Sequence, residues 1–339
     1  MRFMRPIELA TPHNPIPWTP DPRPYYPIVM QRVVIFANPI AGSGRSRALA
    51  DQIEQHLRRR GYRPQVLLTR VDSGQLVIAE QDIGAAIVIG GDGTLRAVAD
   101  WAIGSAVAPG EKIGTGAIFS PPLLLVPVGT ANLMGRHLGI AFGDPDPAQQ
   151  VVRALEHGRI VHLDVARTRG GIFLLVAGVG FDAAVVHELS RCRTGPIAKL
   201  NYIAPALRTL LSYDFPPLSI VADDRPIFGP APALALIGNI PEYGTGFPLL
   251  PHAKPDDQLL DLCVMPCANR RQLLQLFVAA AAGQHIEQDG VVYTKARSIR
   301  IDSPRPVPVQ VDGEPAGFTP LHIDLLPGRI PFIVPPRDE

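Results

Sequence analysis

Val33-Val34-Ile35-Phe36-Ala37 is an unbroken apolar run, and a different rhythm follows it at once: Leu49, Ile53 and Leu57 recur every four residues among polar neighbours. The run predicts a buried strand over 33–37, and the spacing predicts a helix over 46–60 with one face turned inward. Gly61 stands where a left-handed residue would end that helix. Short apolar runs at 65–69, 85–89 and 123–127 predict three further strands with helical segments between them. Strands alternating with helices indicate a parallel, doubly wound sheet, whose ligands gather at the carboxyl ends of the strands.

After about residue 158 the rhythm changes. Runs at 160–166, 172–177, 218–222, 233–237, 259–265, 298–302 and 307–311 read as strands, several with period-two alternation, and two helical stretches at 196–211 and 270–282 interrupt them. Many short strands without regular helix alternation predict a second, largely antiparallel β domain. Ahead of both lies a stretch holding Pro6, Pro12, Pro15, Pro17, Pro20, Pro22, Pro24 and Pro27. That density forbids a helix or a central strand. The expected organisation is a Pro-rich arm over 1–27, an α/β domain over 28–159 and a β-rich domain over 160–339.

Composition changes this picture little. The chain has 339 residues, 46% hydrophobic and 19% charged, which suits a globular protein with ample core. Three cysteines, Cys192, Cys263 and Cys267, form no disulfide framework and fit a reducing compartment. Cys263 and Cys267 lie in or beside a strand-like run and read as buried small hydrophobes. No apolar stretch approaches the roughly 20 residues of a membrane span. The N-terminus lacks the pattern of a signal peptide, so a cytoplasmic location is expected. The net charge of +1 conceals an asymmetry, because residues 1–70 hold eleven arginines against four acidic residues. Part of that excess can face anionic headgroups; Arg58-Arg59-Arg60 reads equally well as a solvated helix face. Nothing in the charge pattern points to nucleic acid.

The chemistry concentrates in Ile89-Gly90-Gly91-Asp92-Gly93-Thr94-Leu95, directly behind the strand-like run at 85–88. Glycines reach positive φ at low cost and let backbone N–H groups close around an anion, and a following helix start adds partial positive charge. A phosphate cradle is the expected use, with Asp92 serving Mg²⁺ or a nucleotide hydroxyl and Thr94 offering its own hydroxyl. Gly42-Ser43-Gly44-Arg45-Ser46-Arg47 also joins a strand to a helix, but Arg47 stands where a dinucleotide fingerprint needs a third glycine. No Gly-Lys-Ser/Thr triplet of a P-loop is present. Asp312-Gly313-Glu314 follows a predicted strand, and Asp-Gly there suits both an ordinary hairpin turn and a catalytic carboxylate.

The GGDGT run resembles the signature shared by diacylglycerol, sphingosine, ceramide and NAD kinases. Asn38-Pro39-Ile40-Ala41-Gly42-Ser43-Gly44, Pro127-Val128-Gly129-Thr130-Ala131-Asn132-Leu133, Ala177-Gly178-Val179-Gly180-Phe181-Asp182-Ala183 and Val311-Asp312-Gly313-Glu314 match further blocks in order and spacing. From about 32 to about 334 the chain resembles the bacterial-type diacylglycerol kinase catalytic-domain family. The resemblance implies an N-terminal doubly wound parallel α/β domain of the NAD kinase/diacylglycerol kinase type and a C-terminal antiparallel β-sandwich-like domain, with the active site in the cleft between them. It also implies that the C-terminal tail returns to the first domain.

What the resemblance carries onto this chain is specific. Asn38, Pro39, Ile40, Ala41, Gly42, Thr69, Gly91, Asp92, Gly93, Thr94, Leu95 and Thr130 become nucleotide contacts. Arg96 stands where the family commonly has Asn. Asp312 becomes the general base, and Glu314 assists nucleotide or metal binding. A structural cation is implied at Asp257 and the carbonyl of Leu259; Gln258 replaces the family's usual Gly there, and the ammonium of Lys254 is the expected substitute for the ion. Tyr243-Gly244-Thr245-Gly246-Phe247 lines the lipid approach or a tight loop, and Phe181 and Asp182 are expected to be structural at the cleft. The implied activity is phosphoryl transfer from ATP, with Mg²⁺, to the hydroxyl of diacylglycerol or a similar lipid at the inner membrane face. A sphingoid lipid, NAD, or lipid binding without turnover remain the alternatives, and a homodimer is left open.

Overall fold

A computed structural model describes residues 32–68, 83–105, 121–143, 145–191, 203–244 and 247–336. Strands β1 (Arg32–Ala37), β2 (Arg63–Leu68), β3 (Ile83–Gly90) and β4 (Leu123–Pro127) form a parallel sheet in the order β2-β1-β3-β4. Each of β1, β3 and β4 is apolar on both faces because both faces are covered. Val33, Ile35, Ile87, Ile89, Leu124 and Val126 pack against helices α1 (Arg45–Arg59) and α4 (Pro147–His157). Val34, Phe36, Val88, Leu123 and Leu125 face the opposite way, onto α2 (Asp92–Ser105) and its Leu95, Val98 and Ile103. A short helix, α3 (Leu133–His137), follows β4.

Period-two strands build the second half. One leaf contains β5 (Arg159–Thr168), β6 (Gly171–Phe173), β8 (Pro217–Ala222), β14 (Ser298–Asp302) and β17 (Leu321–Val334). The other contains β7 (Val176–Val179), β12 (Leu260–Pro266), β13 (Val292–Ala296), β15 (Pro308–Val311) and β16 (Glu314–Phe318). The long strand β9 (Arg225–Gly238) belongs to both, pairing with β8 through its first half and with β7 and β12 through its second. Alternate residues make the sandwich core: Ala233, Ala235 and Ile237 of β9 meet Leu218, Ile220, Leu262, Val264, Ile299 and Ile323. Leu234 and Leu236 point away from it, into a cluster shared with α5 (Phe181–Arg191) and α7 (Arg270–Ala281). Helix α6 (Ile203–Ser212) and the two-stranded β10 (Glu242–Tyr243) and β11 (Phe247–Pro248) complete the chain.

β17 joins the two halves. Its Leu321, Ile323 and Leu325 sit in the sandwich core, while Ile330 and Phe332 sit in the cluster under α2, and Phe332 pairs with Leu123 in parallel to β4. The last described strand therefore adds to the first sheet. The helix α2 that follows β3 reaches the turn between β15 and β16 through Arg96. Cys263 and Cys267 are both buried and free, and burial pushes their thiols up, to about 12 and about 11. Cys192 lies outside the described residues. Among the described residues no helix is long and apolar enough to cross a membrane.

Three helices, α3, α4 and α5, and the strands β10, β11, β13, β16 and β17 go beyond the elements the sequence pattern predicts, and the strand expected over 172–177 is broken into β6 and β7 by the bend at Leu174 and Leu175. Of the helix expected over 196–211, the portion before residue 203 lies outside the described residues.

Candidate active site

Three loops meet where β1, β3 and β4 end. Asn38 caps β1: its N–H donates to the Ile89 carbonyl (3.1 Å), its carbonyl accepts from Ala41 N–H (3.0 Å) and Ser46 Oγ (2.6 Å), and its Nδ2 donates to Thr94 Oγ1 (3.2 Å). The first glycine loop is thus tied to the second by side chains that the sequence places 56 residues apart. Gly42, with φ of 60°, lets a tight turn over Ala41–Gly44 lie against Val128; a Cβ there would come within 3.2 Å of that residue. Pro39 and Ile40 are exposed, Ala41 is half-buried, and Thr94 and Leu95 are buried.

The second and third loops are in closer contact still. Gly91 and Gly129 stack backbone on backbone, and a Cβ on Gly129 would stand 2.6 Å from the Gly91 Cα. Asp92 locks this junction. Its carboxylate accepts the N–H groups of Leu133 (2.9 Å) and Met134 (3.2 Å), capping the first turn of α3. Burial pushes Asp92 above the ordinary carboxylate range against the pull of those bonds. Gly93 is exposed with open space where a side chain would be, and Thr130 of the third loop is exposed as well. Gly93 lies in the first turn of the 14-residue helix α2, so an anion there meets the positive end of the helix. Thr69 lies outside the described residues.

Asp312 and Gly313 are the two central residues of the β15–β16 hairpin, where Val311 pairs with Glu314. Both take positive φ, 49° and 80°, as a primed two-residue turn requires. The hairpin turn and the carboxylate are therefore the same feature. The turn aims Asp312 at the bend between β6 and β7, where its carboxylate accepts N–H groups from Leu174 (3.1 Å), Leu175 (3.0 Å) and Val176 (3.1 Å). Burial outweighs these bonds and the nearby Arg96 charge, holding Asp312 at about 6. Glu314, two residues on, is half-buried.

Arg96 is the link that the motif alone does not reveal. It leaves α2 one residue after the GGDGT-Leu run, and its Nη1 donates to the carbonyl of Val311 (3.0 Å), next to Asp312. The glycine cradle and the carboxylate are thus held by opposite ends of one short helical segment. A cation at this position has a reason to exist where an Asn would not reach so far.

Asp182 supports the same corner. It accepts from Tyr243 Oη (3.1 Å) and Gln310 Nε2 (3.3 Å), while Gln310 Oε1 accepts Gly313 N–H (2.9 Å). A Cβ on Gly178 would strike the Asp182 carboxylate, which explains the glycine of that block. Burial raises Asp182 to about 6 as well. Thr245 and Gly246 of the glycine-rich stretch lie outside the described residues.

The implied structural cation does not fit the residues present. Lys295 occupies its place: the ammonium pairs with Asp257 Oδ2 (2.5 Å) and Asp261 Oδ2 (3.1 Å) and donates to the His252 carbonyl (3.2 Å). Asp257 Oδ1 meanwhile accepts the N–H of Leu259 (3.1 Å). Lys254, the expected substitute, is exposed; the antiparallel register that sets Lys295 opposite Asp261 delivers the ammonium instead. Burial works against the charge on Lys295, but the two carboxylates outweigh it and raise its pKa. Among the described residues no group of three or more His, Cys, Asp or Glu is placed to hold a metal ion. Lys295→Ala leaves the fully buried Asp261 without its counter-charge, at a cost on the order of 3 kcal/mol. A thermal melt is expected to show that loss and its partial rescue by added Ca²⁺ or Mg²⁺, with no response of the unaltered protein to either ion.

Comparison with known proteins bears on the family and the fold. Residues 32–168 match the family model described as the diacylglycerol kinase catalytic domain, and residues 175–334 match the YegS C-terminal NAD kinase beta sandwich-like domain. A diacylglycerol kinase of Mycobacterium tuberculosis is 28% identical over 311 residues, covering 90% of this chain and 95% of that protein. One from Bacillus subtilis is 24% identical over 313 residues, 90% of this chain and 97% of that one. A crystal structure of a diacylglycerol kinase from Bacillus anthracis superposes with a TM-score of 0.66 at 24% identity, over 90% of this chain and 98% of that one. That likeness establishes the fold.

Proposed function

We propose that this chain, a member of the diacylglycerol kinase catalytic-domain family by its match over residues 32–168, transfers the γ-phosphoryl group of ATP to the hydroxyl of diacylglycerol or a similar lipid. The observation that carries this reading is the Arg96 bridge between the glycine cradle and Asp312. Phosphoryl transfer asks a protein chiefly for alignment and charge stabilisation, together with an acceptor for the hydroxyl proton.

Each part of the corner suits one of these needs. ATP enters as its magnesium complex, a substrate whose phosphates lie against the first turn of α2 and the loops around Asn38 and Thr130. Asp92 keeps the second and third loops in register from behind. The lipid oxygen attacks the γ-phosphorus as the bond to the bridging oxygen of ADP breaks, and the hydroxyl proton passes to Asp312. A carboxylate held at about 6 is ionised at neutral pH and close enough to it to accept a proton. Arg96 places a permanent positive charge beside the transferring group.

Labelled ATP offered with a panel of lipid alcohols and NAD tests this reading. Lipid-dependent label transfer is expected, strongest to diacylglycerol. Exclusive labelling of NAD, or binding of lipid with no release of ADP, would overturn it.

A further inference from the structure

Helix α7 is apolar on two sides. Leu273, Leu276, Ala279 and Ala280 are buried against the protein, as one face of a 12-residue helix should be. Leu274, Phe277 and Val278 face solvent at 64%, 54% and 65% exposure, and they are spaced as a second stripe along the helix. Leu211 at the end of α6 is 63% exposed, and Arg270 clasps that end by donating to the carbonyls of Leu210 (2.8 Å) and Leu211. Phe247 of β11, 49% exposed, lies on an element that packs against α7. Scattered exposed apolar residues need no explanation, but five large ones gathered on adjoining elements do.

The charges carried by the two helices themselves have one sign, while the acids near them, Asp214 and Glu287, lie beyond their C-terminal ends, Asp214 paired with Arg305. Arg208, Arg270 and Arg271 are exposed on α6 and α7, and the two helices contain no Asp or Glu. An apolar stripe flanked by arginines is the composition of a helix lying in the headgroup layer of a negatively charged membrane. Twelve residues are too few to span one. A twofold self-contact centred on the same patch would instead set three arginines against three. The patch also adjoins the site: the Phe277 ring packs edge-on against Phe181 at 6.0 Å, and Phe181 precedes Asp182.

We propose that the outward face of α7, with Leu211 and the arginines of α6 and α7, is the surface by which this protein docks on an anionic lipid bilayer, presenting the Asp182–Asp312 corner to the membrane. This rests on the lipid kinase reading for its purpose, though not for its test.

Flotation of the full chain with phosphatidylglycerol–phosphatidylcholine vesicles, and with phosphatidylcholine alone, reads the contact directly. Binding to the anionic vesicles that weakens with salt is expected, and Leu274→Ser with Val278→Ser should reduce it at least tenfold. Those two side chains leave the Phe277–Phe181 contact intact, and an unchanged thermal melt verifies the fold. Arg271→Gln should weaken binding to anionic vesicles only. Absence of binding by the unaltered protein, or equal binding by the double variant, overturns the proposal. So does a double variant that turns a dimer into a monomer by light scattering while floating as before. Lipid phosphorylation in detergent micelles without vesicle binding would sink the docking surface and leave the kinase reading intact; vesicle binding through α7 without phosphorylation would do the reverse.

Discussion

Asp312→Asn is expected to leave a folded protein that binds ATP with nearly unchanged affinity and turns over roughly 10²- to 10⁴-fold more slowly, the usual contribution of a positioned base. Asparagine tolerates the φ of 49° at this turn, so the hairpin should survive. Its oxygen can still accept from Leu175 and Val176, but its amide would face the N–H of Leu174, and about 1–3 kcal/mol of stability should go with that bond. The two roles of the carboxylate then separate cleanly. A purely architectural Asp312 predicts losses of binding and turnover that track the unfolded fraction. A base predicts a fall in kcat with KM for ATP unmoved, at temperatures where the variant is fully folded.

The pH dependence gives a second, independent sign. Asp312 sits at about 6 in the fold, above the roughly 3.9 of a free aspartate, so the folded chain binds its proton more tightly than the unfolded one. Its contribution to stability is fully present below about pH 4 and is lost as pH rises through about 6; Asp182, also held at about 6, acts in the same direction. The base works only when ionised, so activity moves the opposite way. As pH falls from 7 to 5, kcat/KM should drop tenfold per unit below about 6 while these two groups stabilise the fold. A melt measured alongside the rate profile separates loss of the base from loss of the protein. An acid limb that persists in the Asp312→Asn variant would remove Asp312 from the chemistry.

The parts of this site that sequence reveals are those whose cause is local. β1, β3 and β4 are legible because a parallel strand covered on both faces must be apolar throughout. α7 is legible because its inner and outer stripes keep the helical period, although the period alone does not say which stripe is buried. Asp312-Gly313 is legible as a turn from its residue types, and the turn is what aims the carboxylate. What stays hidden depends on partners far along the chain. The Arg96 contact crosses 215 residues, and nothing near Arg96 signals Val311. Lys295 reaches Asp257 and Asp261 only through the β12–β13 register, which nothing in the segment at 254–259 signals, so the family's pattern points to Lys254 instead. β17 pairs with β5 and β14 and finally β4, each distant in sequence, and its local pattern reports only an extended segment.

Gly129→Ala and Gly93→Ala together test the cradle itself, because the fold predicts opposite stability effects and a shared loss of ATP. The new methyl on Gly129 would lie 2.6 Å from the Gly91 Cα and 2.7 Å from Asn132 Oδ1. The first is backbone, and the Asn132 side chain is held in place by its Nδ2 donating to the Gly129 carbonyl (2.8 Å), so the two loops must part, at about 1–3 kcal/mol for overpacking. Parting them by about 1 Å misplaces every phosphate contact, and an error of that size is worth roughly 10²-fold in rate. Gly93 differs in every respect that matters to stability. It is exposed, a Cβ meets nothing within 4 Å, and alanine favours a helix by about 1 kcal/mol over glycine. Gly93→Ala should therefore melt no lower than the unaltered protein. If the open space above Gly93 is where phosphates rest, its methyl obstructs them, and ATP affinity should fall at least tenfold by calorimetry in a protein that is otherwise sound. Full ATP binding by Gly93→Ala would move the phosphates away from the first turn of α2. Full binding by both variants would reduce the glycines to packing, because then neither the spacing of the loops nor the open face of the helix would bear on the nucleotide.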